Sequence, residues 1–370
     1  MSDCFGSQMG MFDGAKKFKI DKPIRLIELF AGIGAQAKAL ERLGVPFERY
    51  RVCEFDKYAI KSYNAIHGTN FETSDVTKIT ADDLGITDTD KYCYILTYSF
   101  PCTDLSIAGK QQGMSKNSGT RSELLWEVKR LLDECNELPQ VLLMENVPQI
   151  HAEKNIMDFN SWLQKLESLG YKSWYKDLNA KDFGVPQNRN RTFCVSLLGD
   201  YYYEFPQPKP LKTRLKNLLD KNVEEKYYIS ENNVEKCLQS VNAERLATQF
   251  AQAAGRAQTG TVGMEKINCK LYGTLQGGKW DKINENCKRV YATDGVSPTI
   301  HTCQGGNSEP KIKEKVRIRK LTPKECFRLM DFYDEDFEKA AKVNSNSQLY
   351  KQAGNSIVVA VLEAIFGEML

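Results

Sequence analysis

Cys102 follows a run of strand-forming residues, Tyr94-Ile95-Leu96-Thr97-Tyr98, and a Phe100-Pro101 corner. Proline cannot donate to a sheet ladder, so the strand is expected to end there. The thiol then stands at the carboxyl end of a strand, where open α/β sheets take their ligands. A cysteine so placed is either small buried filler or a nucleophile, because a thiolate attacks well and leaves well. The apolar run Val141-Leu142-Leu143-Met144 delivers Glu145-Asn146-Val147 to the same edge. A carboxylate there either serves a ligand or caps the next helix. Gln187-Asn188-Arg189-Asn190-Arg191 enters a further strand at Thr192-Phe193-Cys194-Val195. Alternation puts Arg189 and Arg191 on one side, where both could face one anionic or carbonyl-bearing ligand; a solvated edge is the alternative.

A second group of residues has the pattern of a nucleotide site. Ile24-Arg25-Leu26-Ile27-Glu28-Leu29-Phe30 is strand-like and ends in Ala31-Gly32-Ile33-Gly34, after which Ile33, Ala37 and Leu40 have helical spacing up to Gly44. Glycines in such a turn let the backbone approach a ligand closely. About 20 residues on, Glu54 ends a second strand, where a carboxylate can hold two ribose hydroxyls. A third strand end is expected at Ser74-Asp75-Val76-Thr77. Gly32-x-Gly34-x-x-Ala37 also fits the loose dinucleotide fingerprint, so NAD and a plain strand-to-helix turn both stand as readings of the turn taken alone.

These groups need a large scaffold, and 370 residues supply one, with two domains expected. No apolar run approaches the roughly 20 residues that span a bilayer. Eleven cysteines, none in a C-x-x-C spacing, suggest neither a disulfide framework nor a zinc site and fit a reducing cytoplasm; three separated histidines point to no metal. Net charge is +3, but residues 201–320 hold 21 Lys and Arg against 13 Asp and Glu, a distribution suited to a polyanion. Helices are expected over 122–135 and 158–170, and from Thr322-Pro323-Lys324-Glu325 onward. An apolar helix is expected over 357–366. Composition shifts near residue 200: 211–310 is rich in Asn, Gln, Gly and Lys, with a helix expected over 247–257 and short strands and glycine loops over 271–278 and 290–306. The expected organisation is an extension (1–22), which reads as polar and mobile, a catalytic and cofactor-binding domain (23–200), a recognition domain (201–318), a connecting segment (319–344) and a C-terminal segment returning to the catalytic domain (345–370).

Taken together, these motifs resemble the cytosine-C5 DNA methyltransferase family over nearly the whole chain outside the middle region. Phe30-Ala31-Gly32-Ile33-Gly34 resembles its cofactor loop, Phe100-Pro101-Cys102 its nucleophile motif and Gly109-Lys110-Gln111-Gln112-Gly113 its mobile catalytic loop. Glu145-Asn146-Val147, Gln187-x-Arg189-x-Arg191, Arg319-Lys320-Leu321-Thr322-Pro323 and Gly354-Asn355-Ser356 are similar to the motifs that come after, in the family's order. Gly295-Val296-Ser297-Pro298-Thr299-Ile300 is similar to the end of the recognition region. The chain departs from the pattern at Thr103, where Gln is usual, at Leu105, where Phe is common, and at Ile300, where Leu is usual. Runs in the catalytic domain are similar to those of CpG-specific members from wall-less bacteria.

The resemblance implies an α/β fold: a Rossmann-like class I methyltransferase sheet with helices on both faces, plus a smaller irregular target-recognition domain. It implies transfer of a methyl group from S-adenosyl-L-methionine to C5 of a cytosine flipped out of duplex DNA, leaving S-adenosyl-L-homocysteine, without a metal. It assigns Cys102 to attack on C6, Glu145 to the N3/N4 edge of the base with a pKa raised by burial, and Arg191, with Arg189, to the O2 edge. Phe30, Gly32, Gly34, Glu54, Phe55, Asp75, Val76, Pro101, Leu124, Asn355 and Ser356 would form the cofactor pocket; Ser106, Lys110, Gln111 and Thr299 would touch DNA. The implied partner is double-stranded DNA, with a cognate restriction endonuclease possible without a stable complex, and the implied enzyme is a cytoplasmic monomer away from any membrane. The rivals are a tRNA-modifying relative, a catalytically silent DNA-binding relative and an NAD-dependent oxidoreductase.

Overall fold

The computed structural model describes residues 15–101, 121–229, 267–303, 307–315 and 317–370. Its centre is a six-stranded sheet of β1 (Ile24–Leu29), β2 (Phe47–Cys53), β3 (Cys93–Tyr98), β4 (Val141–Asn146), β5 (Tyr171–Asn179) and β6 (Asn190–Leu198), in the order β2-β1-β3-β4-β6-β5. β2, β1, β3 and β4 are mutually parallel, and β6 runs against both β4 and β5. The central strands β3 and β4 read as continuous apolar runs because both their faces are covered. Leu26, Ile95, Leu143 and Val195 point into one core, with α1 (Ala35–Arg42) and, later in the chain, α8 (Val359–Gly367). Their neighbours Ile27, Leu96, Leu142 and Cys194 point into the other, with α3 (Leu125–Glu134) and α4 (Ile156–Ser168). This is a Rossmann-like sheet with helices on both faces, as expected.

A second sheet, β10-β9-β8-β7, is built from β7 (Leu271–Thr274), β8 (Arg289–Tyr291), β9 (Lys311–Glu314) and β10 (Arg317–Lys320). Its own small core gathers Ile229, Leu275, Trp280, Val290 and Ile318. The expected helix over 247–257 lies outside the described residues.

Three expectations are corrected. No strand forms at 74–77: Asp75 Oδ1 accepts from the Thr77 amide at 3.0 Å and its hydroxyl at 2.8 Å, closing a turn instead. Residues 15–22 do not stand off as an extension. Lys16–Lys17 pairs in parallel with Tyr201–Tyr202, Phe18 is buried, and the Ile20 amide donates to the Met369 carbonyl at 2.7 Å. The segment 319–344 is more than a connection, since α5 (Pro323–Leu329) and α6 (Asp334–Ala341) bury Phe327, Leu329 and Ala340 in the first core. Thr322 and Glu325 form the expected capping box, and Glu325 also receives the fully buried Arg319 at 2.8 Å. The apolar helix expected over 357–366 is α8, and α7 (Asn346–Asn355) precedes it.

β1 carries one ionisable group into the interior. Glu28 accepts from the Tyr63 hydroxyl of α2 (Lys57–His67) at 2.5 Å and from the Ala37 amide of α1 at 3.3 Å. Burial outweighs both bonds and raises its pKa to about 7. An acid raised this way lends stability that is complete below about pH 4.5 and lost as pH rises through about 7. Wild type should therefore lose on the order of 3 kcal/mol of urea-measured unfolding free energy across that window relative to Glu28→Gln, which keeps the Tyr63 bond. A wild-type-to-variant difference that does not change with pH would contradict this assignment.

Candidate active site

Two parallel strands, β3 and β4, end side by side, with Tyr98 opposite Met144. Beyond β3 the chain turns at Phe100-Pro101, and two side chains hold the turn by consecutive carbonyls. Asn146 Nδ2 donates to Phe100 O at 3.1 Å, and Ser122 Oγ donates to Pro101 O at 2.9 Å. The backbone entering position 102 is thus fixed from both the β4 side and the α3 side. Cys102 itself lies outside the described residues, as do Ser106, Lys110 and Gln111.

Glu145, beside the clamping Asn146, is 9% exposed. Arg191 Nε lies 3.2 Å from its Oε1. Burial pushes the Glu145 carboxyl above its ordinary value, and the positive charges of Arg191 and then Arg189 pull against that shift. A carboxyl so poised can hold a proton for a ligand nitrogen, while the adjacent guanidinium can meet a carbonyl oxygen.

The expectation that Arg189 and Arg191 face one ligand is corrected. The Arg189 amide donates to Gln187 O at 3.0 Å, and its carbonyl accepts from the Ala180 amide at 3.0 Å, so the chain is still turning and strand alternation starts only at Asn190. The buried Arg189 guanidinium donates to Ile300 O at 3.0 Å, Gly354 O at 3.0 Å and Ser356 O at 2.8 Å. It is a positioning residue. Gln187 does similar work: its Nε2 donates to Leu329 O at 2.6 Å and its Oε1 accepts from the Ile300 amide at 3.1 Å. Thr299 Oγ1 donates to Asn188 O at 2.6 Å, so its side chain also belongs to this junction.

At the neighbouring turn, Phe30, Gly32 and Gly34 all take left-handed conformations, with φ of 58°, 57° and 79°. Only glycine does so freely, and a Cβ at Gly34 would lie 2.3 Å from His67 Nε2. Glu54 accepts the Gly32 amide at its Oε2 and the Asp56 amide at its Oε1, both at 2.8 Å. Burial raises its pKa against those two bonds. Phe55 presents a ring that is 77% exposed. The rim is apolar: Phe30 and Leu124 pack on the cluster that buries Val76. Asp75 is held below the usual carboxylate range by Thr77 and remains an acceptor. The C-terminal segment reaches α2, beside this turn, through Lys351, which donates to Asp56 at 2.6 Å, and Gln352, whose Oε1 accepts from Ser62 Oγ at 2.8 Å. Asn355 is exposed and Ser356 buried there.

The family described as C-5 cytosine-specific DNA methylase matches residues 24–370. The chain belongs to that family. It is 33% identical to "Type II methyltransferase M2.ScrFI" of Lactococcus lactis subsp. cremoris, over 94% of this chain and 99% of that protein. It is also 33% identical to "Orphan methyltransferase M.SssI" of Spiroplasma monobiae, over 94% and 97%. Among solved structures, the S. pombe Dnmt2 methyltransferase superposes with a TM-score of 0.64 at 19% identity, covering 94% of this chain and 98% of that one. Entamoeba histolytica methyltransferase EhMeth gives 0.67 at 16% identity, covering 94% and 98%. These two show the fold. The family's methyl donor is S-adenosylmethionine, and this cytosine methylase offers it fitting chemistry: a half-buried carboxylate, Glu54, for ribose hydroxyls, an open aromatic face for a flat base and a glycine turn allowing close approach.

Sequence reading missed the clamps, Asn146, Ser122 and Gln187. Asn146 lay inside a recognised motif, and Gln187 two residues from Arg189. Ser122 carried no signal. If Arg189 positions the pocket, Arg189→Lys should weaken S-adenosylhomocysteine binding at least tenfold by calorimetry, since an ammonium cannot reproduce the forked contacts, whereas Arg191→Ala should stay within about twofold. Equal losses in the two variants would contradict the division of labour.

Proposed function

We propose that this chain methylates C5 of cytosine in duplex DNA at a short specific sequence, with Cys102 as nucleophile. The observation carrying the reading is the pair of buried Glu145 and half-buried Arg191, 3.2 Å apart, beside a doubly clamped corner that leads directly into Cys102. Cytosine C5 is too weak a nucleophile to react unaided. Addition of the Cys102 thiolate to C6 makes C5 an enamine carbon, and loss of the C5 proton with expulsion of the thiolate later restores the ring. S-adenosylmethionine supplies the electrophilic methyl group. Glu145, whose carboxyl burial holds above its ordinary pKa, donates a proton to N3 as negative charge develops there, and Arg191 stabilises O2. Phe30, Phe55, Glu54, Asp75, Val76, Pro101, Leu124, Asn355 and Ser356 would hold the cofactor around the Gly32–Gly34 turn.

The target atom is inside the base stack, so the cytosine is flipped into the site at a cost of a few kcal/mol. Residues 201–318 serve as the recognition domain, and the excess of Lys and Arg over 201–320 supplies the salt-dependent part of DNA affinity. Ser106, Lys110, Gln111 and Thr299 are assigned to the DNA. The protein acts as a monomer in the cytoplasm, without a metal; a restriction endonuclease is a possible functional partner that forms no stable complex with it. No helix among the described residues is long and apolar enough to cross a membrane.

Bisulfite sequencing of plasmid DNA from cells expressing the protein should reveal methylated cytosines in one short context, and Cys102→Ala should abolish them. Methylation confined to tRNA would establish the RNA-modifying rival. Glu145→Gln should lower the single-turnover rate at least a hundredfold. Because the protonated form is required, the wild-type rate that depends on Glu145 should fall as pH rises through its elevated pKa. A Glu145→Gln profile matching wild type at every pH excludes the assigned role.

A further inference from the structure

A cavity of about 600 Å³ lies between α1, the start of β2, the end of α2 and α6, away from the Glu145–Arg191 pair. Its lining includes Arg49, His67 and Lys339, a single carboxylate, Glu41, and the apolar Val45 and Phe47. Two buried nitrogens in that lining, Arg49 Nε and His67 Nδ1, have no hydrogen-bond partner. His67 is tautomerically defined by its other nitrogen: Nε2 lies 3.1 Å from Ile33 O, and a carbonyl only accepts, so Nε2 carries the hydrogen. Nδ1 is therefore an acceptor. Burial, and then the charges of Arg49, Lys38 and Lys339, lower the pKa of His67 to about 3, which keeps the ring neutral at physiological pH.

Glu41 does not complete the site. Its Oε2 accepts from Arg49 Nη2 at 2.7 Å, its Oε1 accepts from Lys38 at 3.0 Å, and its nearer oxygen is 4.0 Å from His67 Nδ1. Two carboxylate oxygens cannot donate to Nδ1 in any case. Lys339 donates to Ile66 O at 3.2 Å and forms no ion pair among the described residues. The unmet set is thus two cationic donors and one acceptor.

We propose that this cavity binds a phosphate group that retains a hydrogen, with Arg49 and Lys339 donating to its oxygens and His67 Nδ1 accepting from its P–OH. Inorganic phosphate carries that hydrogen at neutral pH; a phosphomonoester carries it only as its monoanion, below a second pKa of about 6; sulfate does not. An oxyanion without a hydrogen leaves Nδ1 unpaired in a buried setting, which is costly. The site discriminates between anions of nearly the same shape and charge by one proton. The ring that would contact the ligand also holds the Ile33 carbonyl of the cofactor turn, one residue before Gly34. Binding at the cavity does not depend on the methyl-transfer reading.

The test titrates the full chain at constant ionic strength with inorganic phosphate, sulfate and 2′-deoxycytidine 5′-monophosphate, following the His67 ring nitrogens by NMR. Saturable phosphate binding that perturbs Nδ1, at least tenfold weaker with sulfate and at least tenfold weaker in Lys339→Ala, is expected. Lys339 is exposed, so that variant should fold, which circular dichroism checks. Binding of phosphate but not of the nucleotide would assign the site to the free anion; binding of the nucleotide as well, abolished by Lys339→Ala, would assign it to monoesters. No saturable change at His67, an equal response to sulfate, or an undiminished response in Lys339→Ala would overturn the proposal.

Discussion

The Arg189 guanidinium, bonded to three carbonyls from two distant segments, is the constraint on which the site depends. Ile300 lies in the segment between β8 and β9 of the second sheet, while Gly354 and Ser356 lie at the end of α7 and just after it. A charged fork buried among backbone carbonyls gives bonds stronger than neutral ones and tolerates little displacement. Gly354 fits the same junction, because a Cβ there would come 2.4 Å from the His301 carbonyl carbon and oxygen. Gln187, two residues earlier, adds bonds to Leu329 and Ile300. The short Gln187–Arg191 stretch thereby gathers the chain's late segments before it delivers one side chain, Arg191, to Glu145.

Chemistry and support are separated by strand geometry. Residues before Asn190 sit in a turn and spend their polar groups on backbone; residues from Asn190 onward sit in a ladder whose side chains reach the sheet edge. On the facing strand the same economy appears: Glu145 is turned to Arg191, while Asn146 next to it holds the Phe100 carbonyl. Burial then sets the protonation of Glu145 in the direction that proton donation to a base requires. At the cofactor turn, Phe30 in a left-handed conformation, worth about 1–3 kcal/mol of strain, is kept there by Glu54 binding the Gly32 amide.

Much of this was legible in the sequence. Continuous apolar runs such as Val141-Leu142-Leu143-Met144 announced strands covered on both faces, the glycines at 32 and 34 announced a tight strand-to-helix turn, and Thr322 with Glu325 announced a helix start that forms with both bonds of a capping box. Period-two alternation failed at Arg189 because a local turn, invisible to pattern, still holds that residue one position before the strand begins at Asn190. Polar spacing likewise failed at Asp75, where a side-chain bond to Thr77 closes a turn that an extended strand would open. Packing of residues 15–22 against the chain's last residues depends on a long-range partner, Met369, that no local signal reveals. Ser122 was unreadable for the same reason: its partner carbonyl at Pro101 is brought near only by the fold.

The central claim is that the doubly clamped corner presents Cys102 to C6 of a cytosine. Fluorine at C5 replaces the proton that must leave, so a duplex with 5-fluorocytosine at the target position should trap the enzyme–base bond in the presence of S-adenosylmethionine. The measurement is peptide mapping of the covalent complex by mass spectrometry. A methylated 5-fluorocytosine adduct on Cys102 and on no other cysteine is expected. No adduct on a duplex that the protein methylates when it carries ordinary cytosine, or an adduct on a different cysteine, would contradict it.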